Sequence, residues 1–277
     1  GGVTFTANGA ARAATLGATD SLADVTHAHL DAPFQTAYGN ADIGYYFPAA
    51  ASLRARRESR TGRWSDINSG GSTTAQTRSF LTMWFDHGVG LASPGASFAY
   101  AVLPNKSAVQ TAAYSQNPDI EILANTASVQ AVREKNLRVL AANFWNATPT
   151  APAAVAGLSA NRPASVSLRQ REGRLFLGVS DPSQSLTSTT PLTLELPAAA
   201  TAVVSVDPAI TVLALAPRVR LSVNLASTRG RSLAAAFTLA PLTAAPDNAI
   251  TSPGAPVRIH VLANDSSATG DTLSVTG

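Results

Sequence analysis

Short runs of alternating apolar and polar residues, each stopped by a turn signal, recur along this chain, while helical periodicity is scarce. Successive side chains of a strand point to opposite faces, so such runs build half-buried strands, and their recurrence marks an all-β sandwich. The runs are Asp42 to Phe47, Ser52 to Glu58, Ser79 to Asp86, Ser97 to Leu103, Ser128 to Arg133 and Leu137 to Phe144. Ser165 to Gln170, Arg174 to Ser180, Leu192 to Leu196, Ala202 to Val206, Arg218 to Leu225 and Ser232 to Leu239 complete the set. Arg169-Gln170-Arg171-Glu172-Gly173-Arg174 reads as a hairpin, because Gly173 can take positive φ at its tip.

Composition removes several function classes. Of the 277 residues 45% are hydrophobic and 13% charged, about half the charge of a soluble domain, which sits near ~25%. No stretch approaches the ~18 to 20 uninterrupted apolar residues of a membrane helix. Val, Leu, Ile and Phe recur throughout and the net charge is only +3, which excludes a disordered chain. Cysteine is absent, and with it disulfide frameworks, thiolate zinc sites and cysteine nucleophiles. Lys106 and Lys135 are the only lysines among 20 basic residues, a bias that reflects a GC-rich genome before any ligand. The pI of 9.6 comes from a small charge excess and implies no polyanion partner by itself. There is no P-loop, no dinucleotide-binding glycine pattern and no aromatic-interleaved basic helix, so nucleotide and nucleic-acid functions have no support. Low charge with Ala, Thr, Ser and Val richness suits an exported bacterial β-protein.

Four segments separate along the chain. Residues 1–125 carry most of the aromatics, most of the histidines and the densest charge; residues 126–240 are a cleaner series of short strands; 241–256 form a Pro/Ala linker; and 257–277 begin something new. No internal repeat is visible in the first 240 residues. Gly1-Gly2-Val3-Thr4-Phe5 is neither a signal peptide nor an initiating methionine, and the last residues stop within a strand-like pattern. The expectation is the interior of a longer polypeptide.

The densest chemistry lies between Arg54 and Asn68, where Arg54, Arg56, Arg57, Arg60 and Arg63 stand against Glu58 and are followed by Trp64. Guanidinium forks bind carboxylate or sulfate bidentately, and an indole face stacks on a sugar ring. The alternative is a solvated strand face with a Trp packed over its loop. Asp86-His87 invites an acid/base pair, but no G-x-S-x-G serine accompanies it, and a histidine ending a strand fits better. His27 and His29 lie two apart on one strand face without a third ligand nearby, so no metal site is expected. His260 is isolated.

Four motifs in order are similar to polysaccharide lyase family 8, which includes hyaluronate, chondroitin AC and xanthan lyases. They are Asp42-Ile43-Gly44-Tyr45-Tyr46-Phe47-Pro48, Thr61-Gly62-Arg63-Trp64-Ser65-Asp66-Ile67-Asn68, Trp84-Phe85-Asp86-His87-Gly88 and Tyr100-Ala101-Val102-Leu103-Pro104-Asn105. Ala141-Ala142-Asn143-Phe144-Trp145, Pro163-Ala164-Ser165-Val166 and Val179-Ser180-Asp181-Pro182 resemble the family's small C-terminal β-domain. The resemblance covers about residues 1–240. It implies an antiparallel super-sandwich region, incomplete at its N-terminus, followed by a smaller C-terminal β-sandwich. It also implies a secreted enzyme that cleaves uronic-acid polysaccharides (hyaluronan, chondroitin or xanthan) by β-elimination. A base takes the C5 proton of the uronate while the C4 oxygen leaves, and the site must neutralise the carboxylate as charge develops.

In the family an Asn, a His, a Tyr and an Arg on an N-terminal helical toroid do this chemistry, and no segment here resembles that toroid. The resemblance therefore carries no catalytic residue onto this chain, which alone is expected to be inactive, with the helical domain as its missing partner. The β-region forms part of the cleft wall in such enzymes, so Trp64, Arg60, Arg63 and Asn68 are the expected contacts to an acidic polysaccharide; Trp84 is expected in the core. Residues Val261 to Leu273 resemble the opening of bacterial cadherin-like or immunoglobulin-like modules, whose loops can hold calcium through acidic oxygens. Ser267 and Thr269 occupy positions that are commonly acidic there, which argues against calcium, and no other cofactor is expected. A secreted protein, with cell-surface attachment as a variant, fits this arrangement. The competing reading is a non-catalytic carbohydrate-binding or adhesive β-sandwich.

Overall fold

The computed structural model describes residues 4–12, 17–31, 35–36, 39–40, 42–90, 95–186 and 190–241. The expected module over 257–277 lies outside them, as does the linker beyond Pro241. The chain divides into two compact units, Gly1–Asp119 and Ile120–Gly277. Both are built from antiparallel strands, as the alternation predicts.

In the first unit the strands are β1 (Thr4–Ala7), β2 (Ala10–Arg12), β3 (Thr19–Asp31), β4 (Gln35–Thr36), β5 (Gly39–Asn40), β6 (Ile43–Gly62), β7 (Gln76–Phe85) and β8 (Ala101–Pro104). One helix, α1 (Ala108–Gln116), follows. The main sheet has the order β2-β1-β3-β6-β7, and β8 pairs with the first residues of β6. The runs 42–47 and 52–58 are thus parts of one long strand, β6, whose register against β3 shifts between Ala51 and Tyr46. Alternation sorts the two faces. Phe5, Leu22, Val25, Ala28, Phe47, Leu53 and Ala55 bury together on one side. The other side takes α1, whose Ser107 cap accepts from the Gln110 N–H while the Gln110 side chain accepts from the Ser107 N–H.

The second unit packs a seven-stranded sheet on a five-stranded one. Its strands are β9 (Ile120–Asn125), β10 (Val129–Glu134), β11 (Val139–Phe144), β12 (Ala153–Val155), β13 (Leu158–Ala160) and β14 (Ala164–Arg171). Then come β15 (Arg174–Ser180), β16 (Leu192–Glu195), β17 (Ala200–Val206), β18 (Ile210–Ala214), β19 (Arg220–Val223) and β20 (Leu233–Leu239). The orders are β17-β20-β15-β14-β11-β10-β9 and β12-β13-β16-β19-β18. Every second residue of β14, β15, β16 and β20 enters one core, with Leu158, Leu194, Leu221 and Phe237 fully buried. Each such side chain contributes about 1.5 to 3 kcal/mol relative to exposure. The β14–β15 hairpin turns at Glu172 and Gly173, at φ 52° and 69°, the positive pair that a two-residue turn requires. Among the described residues no helix is long and apolar enough to cross a membrane.

Candidate functional site

Register decides what the arginine-rich segment presents. The pairing of β6 with β7 sets Arg54 opposite Trp84, Arg56 opposite Thr82, Glu58 opposite Phe80 and Arg60 opposite Arg78. By alternation these side chains share one sheet face, while Leu53, Ala55, Met83 and Phe85 share the other. The arginines do find carboxylates, one of them distant in sequence. Arg54 Nε donates to Asp86 Oδ2 at 3.1 Å and its Nη1 to Ser21 Oγ at 2.8 Å. Glu58 lies between Arg60, which it hydrogen-bonds, and Arg56, 3.7 Å away. The bond from Arg60, with the charges of Arg60 and Arg56 beside it, outweighs desolvation and holds the Glu58 carboxyl below its ordinary range. Arg60 also lies over the Phe80 ring, 5.6 Å from its centroid.

The strand runs on to Gly62, and a 3-10 turn follows at Trp64–Asp66. Asp66 Oδ2 accepts the Arg63 N–H at 2.9 Å, and the Asn68 carbonyl oxygen of the side chain accepts the Gly70 N–H at 3.1 Å. Gly71 lies against the Trp64 backbone, where a Cβ would come within 2.7 Å of the Trp64 carbonyl, so the loop closes beneath the indole. Trp64 is 60% exposed. The structure thus brings Arg60, Arg63, Trp64 and Asn68 to one end of the β6–β7 hairpin, Asn68 shaping the loop. On this face Arg54, Arg56, Arg60 and Arg78 stand against the carboxylates of Glu58 and Asp86. Among the described residues Arg78 bonds the Thr77 carbonyl and the Gln76 amide oxygen and no carboxylate. The face therefore carries surplus positive charge beside an exposed indole.

Trp84 is not in the core. It is half-buried on the arginine face, because its register with Arg54 turns it away from the apolar cluster. Asp86 and His87 do not form an acid/base pair. The Asp86 carboxylate is engaged by Arg54 and the Gly88 N–H, while the His87 ring stacks on Phe85 at an interplanar angle of 3°. Phe98 and Tyr100 extend that stack beside a cavity of about 460 Å³ that Tyr45 and Leu53 also line. Burial, and then the charge of Tyr100, raise the Tyr45 phenol above its ordinary range.

His27 and His29 are buried on the α1 side of the sheet. His27 Nδ1 lies 3.1 Å from both Ser115 Oγ and Thr26 Oγ1, and His29 Nε2 lies 4.0 Å from Asp42 Oδ2. Their Nε2 atoms and the Thr111 hydroxyl have no hydrogen-bond partner among the described residues. No group of three metal-ligating side chains occurs among the described residues.

Comparison with known proteins gives this geometry its context. The super-sandwich domain of polysaccharide lyase family 8 matches residues 2–115, and the family's C-terminal beta-sandwich domain matches 121–190. The chain is 41% identical over 276 residues to the xanthan lyase of Bacillus sp. (strain GL1), covering 98% of this chain and 28% of that protein. It is 37% identical over 198 residues to the hyaluronate lyase of Thermasporomyces composti, covering 71% of this chain and 24% of that protein. The solved structure of Paenibacillus xanthan lyase superposes with a TM-score of 0.75 at 35% identity, over 86% of this chain and 22% of that one. The chain spans about a quarter of the length of the curated relatives it matches.

Proposed function

The chain belongs to polysaccharide lyase family 8, and from that premise we propose that it is the β-sheet portion of a secreted bacterial lyase. The enzyme cleaves a uronic-acid polysaccharide by β-elimination, and this portion does not itself hold the catalytic groups. The observation that carries the reading is the ordered match of both β-regions to one lyase family. Chemistry agrees with it. Abstraction of a C5 proton beside a carboxylate builds negative charge, and neither Asp86–His87 nor the buried His27–His29 pair supplies a free base next to a stabilising cation.

The role left to this portion is to hold substrate. Trp64 offers a stacking face, Arg60 and Arg63 offer guanidinium forks, and Asn68 keeps the loop in shape. The catalytic groups are supplied by an N-terminal helical domain in this proposal, no cofactor is needed, and residues 257–277 open a cadherin-like or immunoglobulin-like module at the cell surface or in the secreted protein. The test is to incubate the chain with hyaluronan, chondroitin sulfate and xanthan. The expected result is retention of at least one of them in affinity electrophoresis with no unsaturated-uronide absorbance. Turnover would show that the catalytic groups lie within the chain. With a neutral glucan run as a control, equal retention of it would favour a general adhesive module.

A further inference from the structure

Three loops of the second unit meet at one end of its seven-stranded sheet. They follow β11, precede β14 and follow β15, and the register Phe144 to Ala164 and Ser165 to Ser180 brings their ends side by side. Between them lies an open cavity of about 600 Å³, lined among others by Trp145, Asn146, Thr148, Arg162, Ser185 and Thr190. Its floor is built firmly. The Trp145 indole N–H donates to Gln130 Oε1 at 2.5 Å, which fixes the ring while leaving the residue 40% exposed. Asn161 clamps the neighbouring loop to β16 by receiving the Thr193 N–H at 2.6 Å. Asp181 ties the third loop through the Ser183 and Leu186 N–H groups.

Among the described residues Arg162 is the one ionisable side chain lining this cavity. Its Nε is buried without a hydrogen-bond partner, and no carboxylate pairs with it among the described residues. A buried guanidinium donor left unmet is costly. Arg162 as a whole is only half-buried and lines the cavity, so an anionic group brought in would pair with its guanidinium charge and take a charge-assisted bond from it. The rest of the lining joins a held aromatic face and neutral hydroxyl and amide groups, the set that recognises a sugar ring, to the apolar Ala147, Pro163 and Leu186.

We propose that this cavity is a second glycan-binding site, taking a uronate or similarly acidic sugar, with Trp145 as the stacking platform and Arg162 as the carboxylate partner. It is separate from the Trp64 rim in sequence and in unit. The acidic-polysaccharide identity of the ligand rests on the functional reading above; the cavity and the unmet guanidinium do not.

The chain has three tryptophans, so three indole N–H resonances report its sites separately, each assigned by its own Trp→Ala variant. Oligosaccharides of hyaluronan, chondroitin and xanthan are titrated in turn, with cellohexaose as the neutral control. The expected result is a saturable shift of the Trp145 resonance with at least one acidic probe, retained in Trp64→Ala. Arg162→Gln should weaken it about tenfold or more, the loss of a charge-assisted bond, and raised salt should weaken it in the unsubstituted chain. A Trp145 resonance that no acidic probe moves, or that moves equally in Arg162→Gln, overturns the proposal. Movement of Trp145 without Trp64 supports this site and removes the rim from the functional reading; movement of Trp64 alone does the reverse.

Discussion

A Cβ on Gly44 would overlap the Thr111 hydroxyl and come within 2.9 Å of Thr111 Cγ2, so α1 rests on β6 at a position that glycine alone leaves open. Thr111 is fully buried. Gly44→Ala is therefore expected to destabilise the first unit by about 1 to 3 kcal/mol, the ordinary cost of overpacking. Thr111→Ala removes both obstructing atoms, and its hydroxyl has no partner to lose. The double variant should recover much of the loss, a coupling that only direct contact produces. Scanning calorimetry of the chain and the three variants measures it; a Gly44→Ala chain as stable as its parent would refute the contact.

His27 makes the same interface sensitive to acid. Burial lowers its pKa from the ordinary ~6.5. Around it stand Thr26 and His29 on β3, Tyr46 on β6, and Tyr114 and Ser115 on α1, none of them a carboxylate. Asp42 lies beside His29 instead. The unfolded chain thus takes up the proton more readily than the folded one. Stability is fully present above pH ~6.5 and is lost as pH falls through the lower folded value. Denaturant midpoints at pH 7.5 and 5.5 should diverge in the parent and converge in His27→Gln. An equal pH dependence in both would place the effect elsewhere.

Asp181 behaves in the opposite chemical sense with the same direction in pH. It is 1% exposed, and burial alone would raise its pKa. Hydrogen bonds from the Ser183 hydroxyl and from the backbone N–H groups of Leu186, Ser183 and Gln184 outweigh burial and hold it below the ordinary carboxylate range. Its contribution is present above pH ~3.9 and is lost as pH falls through the lower folded value. Asp181→Asn turns one acceptor oxygen into a donor that faces donors. The expected cost is about 1 to 3 kcal/mol, read as a lower melting temperature at pH 7 that narrows toward pH 3.

These sites were unequally legible in the sequence. The β14–β15 hairpin could be read because strict alternation on both sides leaves Glu172-Gly173 as its tip. Of β3 only the stretch around His27 and His29 could be read, because its bulge, with Asp24 at φ 52°, breaks the alternation between Leu22 and Val25. The helix α1 is Ala-rich and weakly amphipathic, yet its Ser107-x-x-Gln110 capping box was visible and would have located it. The arginine run announced itself, but its partner Asp86 lies 32 residues away, and only strand register brings the two together. The same limit applies to Trp145, Arg162 and Ser185, which belong to three separate loops.

The Trp64 rim gives the sharpest division between a structural and a binding role. The indole is 60% exposed and belongs to neither core cluster, and the loop beneath it is closed by Gly71, Asn68 and Asp66 through backbone contacts. Trp64→Ala should therefore change stability by no more than about 0.5 kcal/mol. Arg63→Gln should be equally mild, since Asp66 holds its backbone N–H and not its guanidinium. Loss of the stacking face should weaken binding of an acidic polysaccharide about tenfold, and loss of the Arg63 charge should flatten the salt dependence of that binding. Affinity electrophoresis over a range of ionic strength, with melting curves on the same samples, reads both quantities. A large drop in melting temperature with unaltered affinity would make Trp64 a packing residue and remove the rim from the substrate-binding surface.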